Sequence, residues 1–113
     1  MKKILIALVL LTIGLVGCKK DETNGIVNTS WTYTEKDYDG WKYVYQVSFL
    51  QGNAALLSYK EYDEYNRLDY SDVENGTYVY NHPTVTVTID GYSMTGTISG
   101  NNLILDGRTF VKD

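Results

Sequence analysis

Cysteine, proline and histidine each occur once in this 113-residue sequence, as Cys18, Pro83 and His82. A single cysteine excludes a disulfide within the chain, so the fold must rest on hydrophobic burial and hydrogen bonds. One histidine and no second thiol cannot supply the three or four nitrogen and sulfur ligands that zinc takes. Alanine is nearly absent beyond Cys18, where only Ala54 and Ala55 occur, and with it goes the residue that most favours helix. No apolar run is long enough to cross a bilayer. The longest, Ile4 to Val16, has thirteen residues, against the ~20 that a spanning helix needs.

That run is informative for another reason. Lys2 and Lys3 precede it, and its length suits the h-region of a secretory signal. The residues that close it, Leu15-Val16-Gly17-Cys18, resemble the lipobox of bacterial lipoproteins: an aliphatic residue, a tolerant position, a small residue, then cysteine. The resemblance implies that the Cys18 thiol takes up a diacylglyceryl group and that a peptidase cuts between Gly17 and Cys18. The chain then divides into a signal peptide (1–17), a lipidated tether (18–28) and a domain (29–113). No cofactor is expected beyond that lipid. Lys19-Lys20-Asp21-Glu22, directly behind the cysteine, resembles the short charged export signal of surface lipoproteins of the Bacteroidetes; it reads equally as a solvated linker. The expected location is the outer membrane, with the cell surface favoured over the periplasmic face.

Without residues 1–17 the chain has eight Lys and Arg against fourteen Asp and Glu, a formal charge of −6. Such a domain has no electrostatic footprint for nucleic acid. Anionic head groups would repel it, so membrane contact is expected through the Cys18 lipid alone. All eleven tyrosines and both tryptophans fall in this part. With the abundant Thr and Val they favour strands.

Strand and turn signals alternate from Ser30 onward. Trp31 to Glu35 is followed by the turn pair Asp39-Gly40. Trp41, Tyr43, Tyr45, Val47 and Phe49 then share one strand face. Gly52-Asn53 precedes a strand over Ala54 to Tyr62. Leu68 to Val73 reads as an edge strand, its charges discouraging edge pairing. Asn75-Gly76 reads as a hairpin turn, followed by a short strand, Thr77 to Asn81, that His82-Pro83 ends. Val85, Val87 and Ile89 alternate with threonines up to Asp90-Gly91, the chemistry of a two-residue type I′ turn. In that register Ile89 faces Tyr92, Val87 faces Met94 and Val85 faces Gly96. Gly100-Asn101 and Asp106-Gly107 bound two final strands, Leu103 to Leu105 and Arg108 to Lys112.

Eight or nine short strands with tight turns predict an all-β antiparallel meander. It removes its edges best by closing into an eight-stranded up-and-down barrel with a mostly filled interior. Asn28-Thr29-Ser30-Trp31, and the ending Gly96-Thr97-Ile98-Ser99-Gly100-Asn101-Asn102-Leu103 with Phe110-Val111-Lys112, resemble small lipocalin-like lipoproteins of the Bacteroidetes. The resemblance implies that Trp31 plugs the barrel base. Lipocalins proper carry glycine two residues before that tryptophan, where this chain has Thr29.

No pattern points to catalysis. His82 has no nucleophile and acid arranged around it and reads as a turn residue. Asp63, Glu64, Asp69, Asp72 and Glu74 lack calcium-loop spacing and read as a solvated loop. The domain is therefore expected to be a non-enzymatic, monomeric binding or accessory module that meets a protein, glycan or small apolar molecule. The alternative is a periplasm-facing inhibitor of a hydrolase or an envelope-assembly factor. Trp41, Tyr43, Tyr45 and Phe49 read as core. Tyr59, Tyr62, Tyr65 and Tyr70 lie among charged residues and are the candidate binding residues. Exposed tyrosines stack on sugars and anchor protein interfaces, although they can also simply cover the barrel's outer wall.

Overall fold

The structure, a computed structural model, describes residues 25–113. Cys18, Gly17 and the charged start of the tether lie outside the described residues. Eight antiparallel strands form a closed barrel in meander order: β1 (Thr29–Lys36), β2 (Lys42–Leu50), β3 (Ala54–Tyr62), β4 (Leu68–Asn81), β5 (Thr84–Ile89), β6 (Tyr92–Ser99), β7 (Asn102–Leu105) and β8 (Arg108–Lys112). Each strand pairs with the next, and β8 returns to β1 through Trp31↔Lys112 and Thr32↔Val111. Closure leaves no strand without a neighbour. The architecture is compatible with a lipocalin-like fold.

Local chemistry sets much of this. The β5–β6 hairpin pairs Ile89 with Tyr92, Val87 with Met94 and Val85 with Gly96. Its turn has positive φ at both Asp90 (52°) and Gly91 (77°), as a type I′ turn requires. Asp106 (55°) and Gly107 (75°) repeat the device between β7 and β8. Val85 and Val87 are fully buried. The threonines between them face outward, opposite Thr95, Ser93 and Thr97. No helix among the described residues is long and apolar enough to cross a membrane.

One expected turn is absent. Asn75-Gly76 lies inside β4, a continuous fourteen-residue strand, so the two short strands expected there are one. Gly76 serves close approach instead. A Cβ at this position would collide with the Thr88 carbonyl oxygen and with Ile89 Cγ1. Residues 68–76 of β4 pair with β3 alone, Thr77 pairs with both β3 and β5, and residues 78–81 pair with β5 alone. β4 therefore changes neighbour at Thr77, and its charged upper half has the open side expected of an edge.

The meander places alternate connections at the same end. One end carries the β1–β2 loop, the β3–β4 loop and the Asp90-Gly91 and Asp106-Gly107 turns. The other carries the chain's entry at Gly25, the 3-10 turn Gln51–Asn53, His82-Pro83 and the C-terminus. This second end is sealed. Trp31, Phe49 and Leu103 are fully buried there with Tyr78, whose ring meets Phe49 edge-on at 4.8 Å. Ile26, placed by the sequence in the tether, is buried in the same core, and Asn28 N–H donates to the Phe49 carbonyl.

Candidate functional site

The open end is a cup with one tall wall. Cross-strand register stacks the inward side chains of β1 to β4 into tiers. The lowest holds Phe49, Ala55 and Gly76; the next, Trp31, Val47, Leu57 and Glu74. Above them come Tyr33, Tyr45, Tyr59 and Asp72, and at the rim Glu35, Tyr43, Glu61 and Tyr70. Alternation explains why each residue faces in. The depth of each follows from its distance along the strand from the Trp31 plug. Apolar at the base and polar at the rim, the wall is graded by tier.

Four tyrosines form a continuous band across this wall. Ring centroids are 5.8 Å apart for Tyr33 and Tyr45, 4.9 Å for Tyr45 and Tyr59, and 6.2 Å for Tyr59 and Tyr70. All three pairs are inclined rather than stacked flat, the arrangement that aromatic quadrupoles prefer. Two of the hydroxyls are held by carboxylates two residues along the same strand. Tyr33 donates to Glu35 at 3.2 Å and Tyr59 to Glu61 at 2.6 Å. The Glu61 bond, with burial, pushes the Tyr59 hydroxyl far above its usual range. Burial chiefly, then Glu35, raises that of Tyr33. Both phenols are thus neutral donors at any physiological pH.

Beneath and beside the band is a cavity of about 270 Å³, lined by Tyr45, Val47, Leu57, Tyr59, Met94, Leu105 and Phe110, with Asp72, Glu74, Asp106 and Arg108 around it. Arg108 projects from the short wall. Its guanidinium lies 4.8 Å from the Tyr45 ring centre and 5.8 Å from that of Tyr33, within cation–π range. It also pairs with Asp106 at 3.5 Å. The expected mostly filled interior therefore holds only for the lower tiers. Above Trp31 the short strands β5 to β8 stop before the tall wall does, which leaves the space.

The four candidate tyrosines are not together. Tyr59 and Tyr70 belong to the inner band. Tyr62 lies on the outer face, where Lys42 Nζ sits 4.7 Å from its ring centre. Tyr65 is at the tip of the β3–β4 loop, 70% exposed and under the Arg67 guanidinium. Tyr33, Tyr45 and Arg108, none of them among the sequence candidates, complete the cup. Tyr45 reads as core because Val47 and Phe49 follow it on the same face, and only its height above the plug separates it from them. A usable signal does exist in Tyr33-Thr34-Glu35 and Tyr59-Lys60-Glu61. An acid two residues after a strand tyrosine shares its face and reaches its hydroxyl.

Two aspartates shape the rim. Asp37 accepts from the backbone N–H groups of Asp39 and Trp41 and from the Tyr43 hydroxyl. Asp63 accepts from the Tyr65 and Arg67 N–H groups and from the Arg67 guanidinium. Both carboxyls are held below the usual range, Asp37 chiefly by the Tyr43 hydroxyl and Asp63 chiefly by the Arg67 N–H. The Tyr43 phenol is reciprocally pushed up to about 12. Asp63, from the acidic run 63–74, thus organises a loop. Among the described residues no three His, Cys, Asp or Glu side chains gather as a metal site. His82 sits at the closed end, where its Nδ1 lies 2.7 Å from the Tyr80 hydroxyl.

No protein-family model, curated protein or solved structure matches the chain.

Proposed function

We propose that the protein is a lipoprotein held at the outer membrane by a diacylglyceryl group on Cys18, and that it works without turnover as a binding module whose ligand enters the tyrosine-lined cup. The observation that carries this reading is the inner band of four tyrosines above an unfilled cavity. Core packing needs no such opening, because close-packed interiors leave few voids larger than a water. The position of the cup supports the anchored arrangement. The chain enters the barrel at Gly25, at the closed end, so a lipid on Cys18 would hold that end nearest the bilayer and turn the mouth away. Two acyl chains suffice for stable attachment, and the barrel's hydroxylated outer wall needs no membrane contact of its own.

Digestion of intact cells that express the full chain tests the display. Added protease is expected to remove the domain without permeabilisation, and Cys18→Ala is expected to abolish membrane fractionation. Survival of the domain on intact cells, with loss only after permeabilisation, would assign it to the periplasmic face. Unchanged fractionation of Cys18→Ala would overturn the lipid anchor.

A further inference from the structure

We infer that the cup selects a small organic ammonium ion with an apolar body. The inference rests on the binding-module reading above and names the chemical class of its ligand.

The first ground is charge. Five carboxylates surround the opening: Glu35 and Glu61 at the rim, Asp72 and Glu74 on the tall wall, and Asp106 on the short one. Among the described residues that line the cavity, Arg108 is the one cation, and its guanidinium faces Asp106. Glu35 and Glu61 already accept tyrosine hydroxyls. Asp72 and Glu74 differ. They point inward in register with Tyr59 and Leu57, line the cavity, and have no side-chain hydrogen bond or ion pair within the described residues. An anionic ligand would meet net repulsion here, whereas a cation would meet two carboxylates with unused acceptor capacity.

The second ground is the ring faces. Tyrosine faces attract cations through the ring quadrupole, and this band already does so with Arg108 over Tyr45 at 4.8 Å. The neighbouring Tyr59 ring, across the strand from Asp72, offers an inward face beside a carboxylate. An ammonium group placed there would have a charge partner and an aromatic face together.

The third ground is the cavity below. Its floor of Val47, Leu57, Met94, Leu105 and Phe110 is apolar, and its volume of about 270 Å³ lies at the small end of the roughly 300–1,000 Å³ typical of ligand pockets. An ammonium alone leaves that floor uncovered, and a purely apolar molecule draws nothing from the charge of Asp72 and Glu74, which are exposed and keep their water. A compact monocation with an apolar body satisfies both.

The test is calorimetric titration of the full chain in nonionic detergent with three probes that share one body: phenethylammonium, 2-phenylethanol and phenylacetate. Phenethylammonium should bind roughly five- to tenfold more tightly than the alcohol, and phenylacetate most weakly. High salt should narrow the gap. Asp72→Asn combined with Glu74→Gln should bring phenethylammonium down to the affinity of the alcohol and leave the alcohol unchanged. Tyr45→Ala combined with Tyr59→Ala should weaken both. Equal affinity for ammonium and alcohol, or indifference to the Asp72 and Glu74 substitutions, would overturn the ammonium inference while the cup stood. No binding of any probe, or binding untouched by the tyrosine substitutions, would sink the cup with it. Preference for a lysine-rich peptide over phenethylammonium would hand the site to a basic protein and overturn the inference.

Discussion

The Thr29 hydroxyl holds the side chain that closes the base of the barrel. The Trp31 indole N–H donates to Thr29 Oγ1 at 2.9 Å, and that hydroxyl donates in turn to the Ile26 carbonyl. Trp31 is only 1% exposed, so its N–H has no water to turn to, and an unpaired buried donor is costly. One side chain thereby joins the plug of the barrel to the segment that enters it. Thr29→Val keeps the shape and removes the acceptor. It should lower stability by about 1–3 kcal/mol, read as a lower urea midpoint, whereas Thr29→Ser should recover most of the loss. A Thr29→Val midpoint equal to wild type would show that the indole bond contributes nothing.

The two rim loops show the same residue type doing the same work at the scale of an element. In Asp37-x-Asp39-x-Trp41 and Asp63-x-Tyr65-x-Arg67 an aspartate receives the backbone N–H groups two and four residues ahead. The loops also touch each other, since a Cβ on Gly40 would lie 3.3 Å from Glu64 Cβ. Both aspartates have folded pKa values below the ordinary 3.8. Their contribution is therefore fully present above that value and is lost as pH falls through the depressed folded values. Urea midpoints should stay level from neutral pH down to about 5 and fall below about 4. Asp37→Ala should flatten the fall. A wild-type midpoint that held to pH 2 would remove the aspartates from the account. Asp39-Gly40 was legible as a turn because such residues bond their own backbone. The role of Asp63 was hidden by the acidic residues around it, which suggest a cluster rather than a cap.

At the scale of the whole molecule, the uneven wall makes the cup, and Gly76 is where the unevenness begins. There β4 parts from β5 and climbs with β3 alone, and the close approach to Thr88 leaves no room for a side chain. Gly76→Ala should cost about 1–3 kcal/mol by overpacking and should change the near-ultraviolet signal of the tyrosines. Asn75→Ala, at an exposed position next to it, should stay within about 0.5 kcal/mol. If Asn75→Ala were as damaging as Gly76→Ala, the pair would be acting as a turn after all.

The sequence by itself determined the strands, most turns and the hand of the alternation, because these follow from neighbours one to four residues apart. Val85, Val87 and Ile89 could face only one way once Asp90-Gly91 turned the chain. The tertiary structure alone decided that Asn75-Gly76 runs straight through a strand, that Tyr59 and Tyr70 meet Tyr33 and Tyr45 while Tyr62 and Tyr65 turn away, and that Asp72, Glu74 and Arg108 share one opening. Those outcomes depend on how far each strand slides along its neighbour and where the short wall stops. That offset is set by closure of all eight strands at once, and no local pattern in the chain carries it.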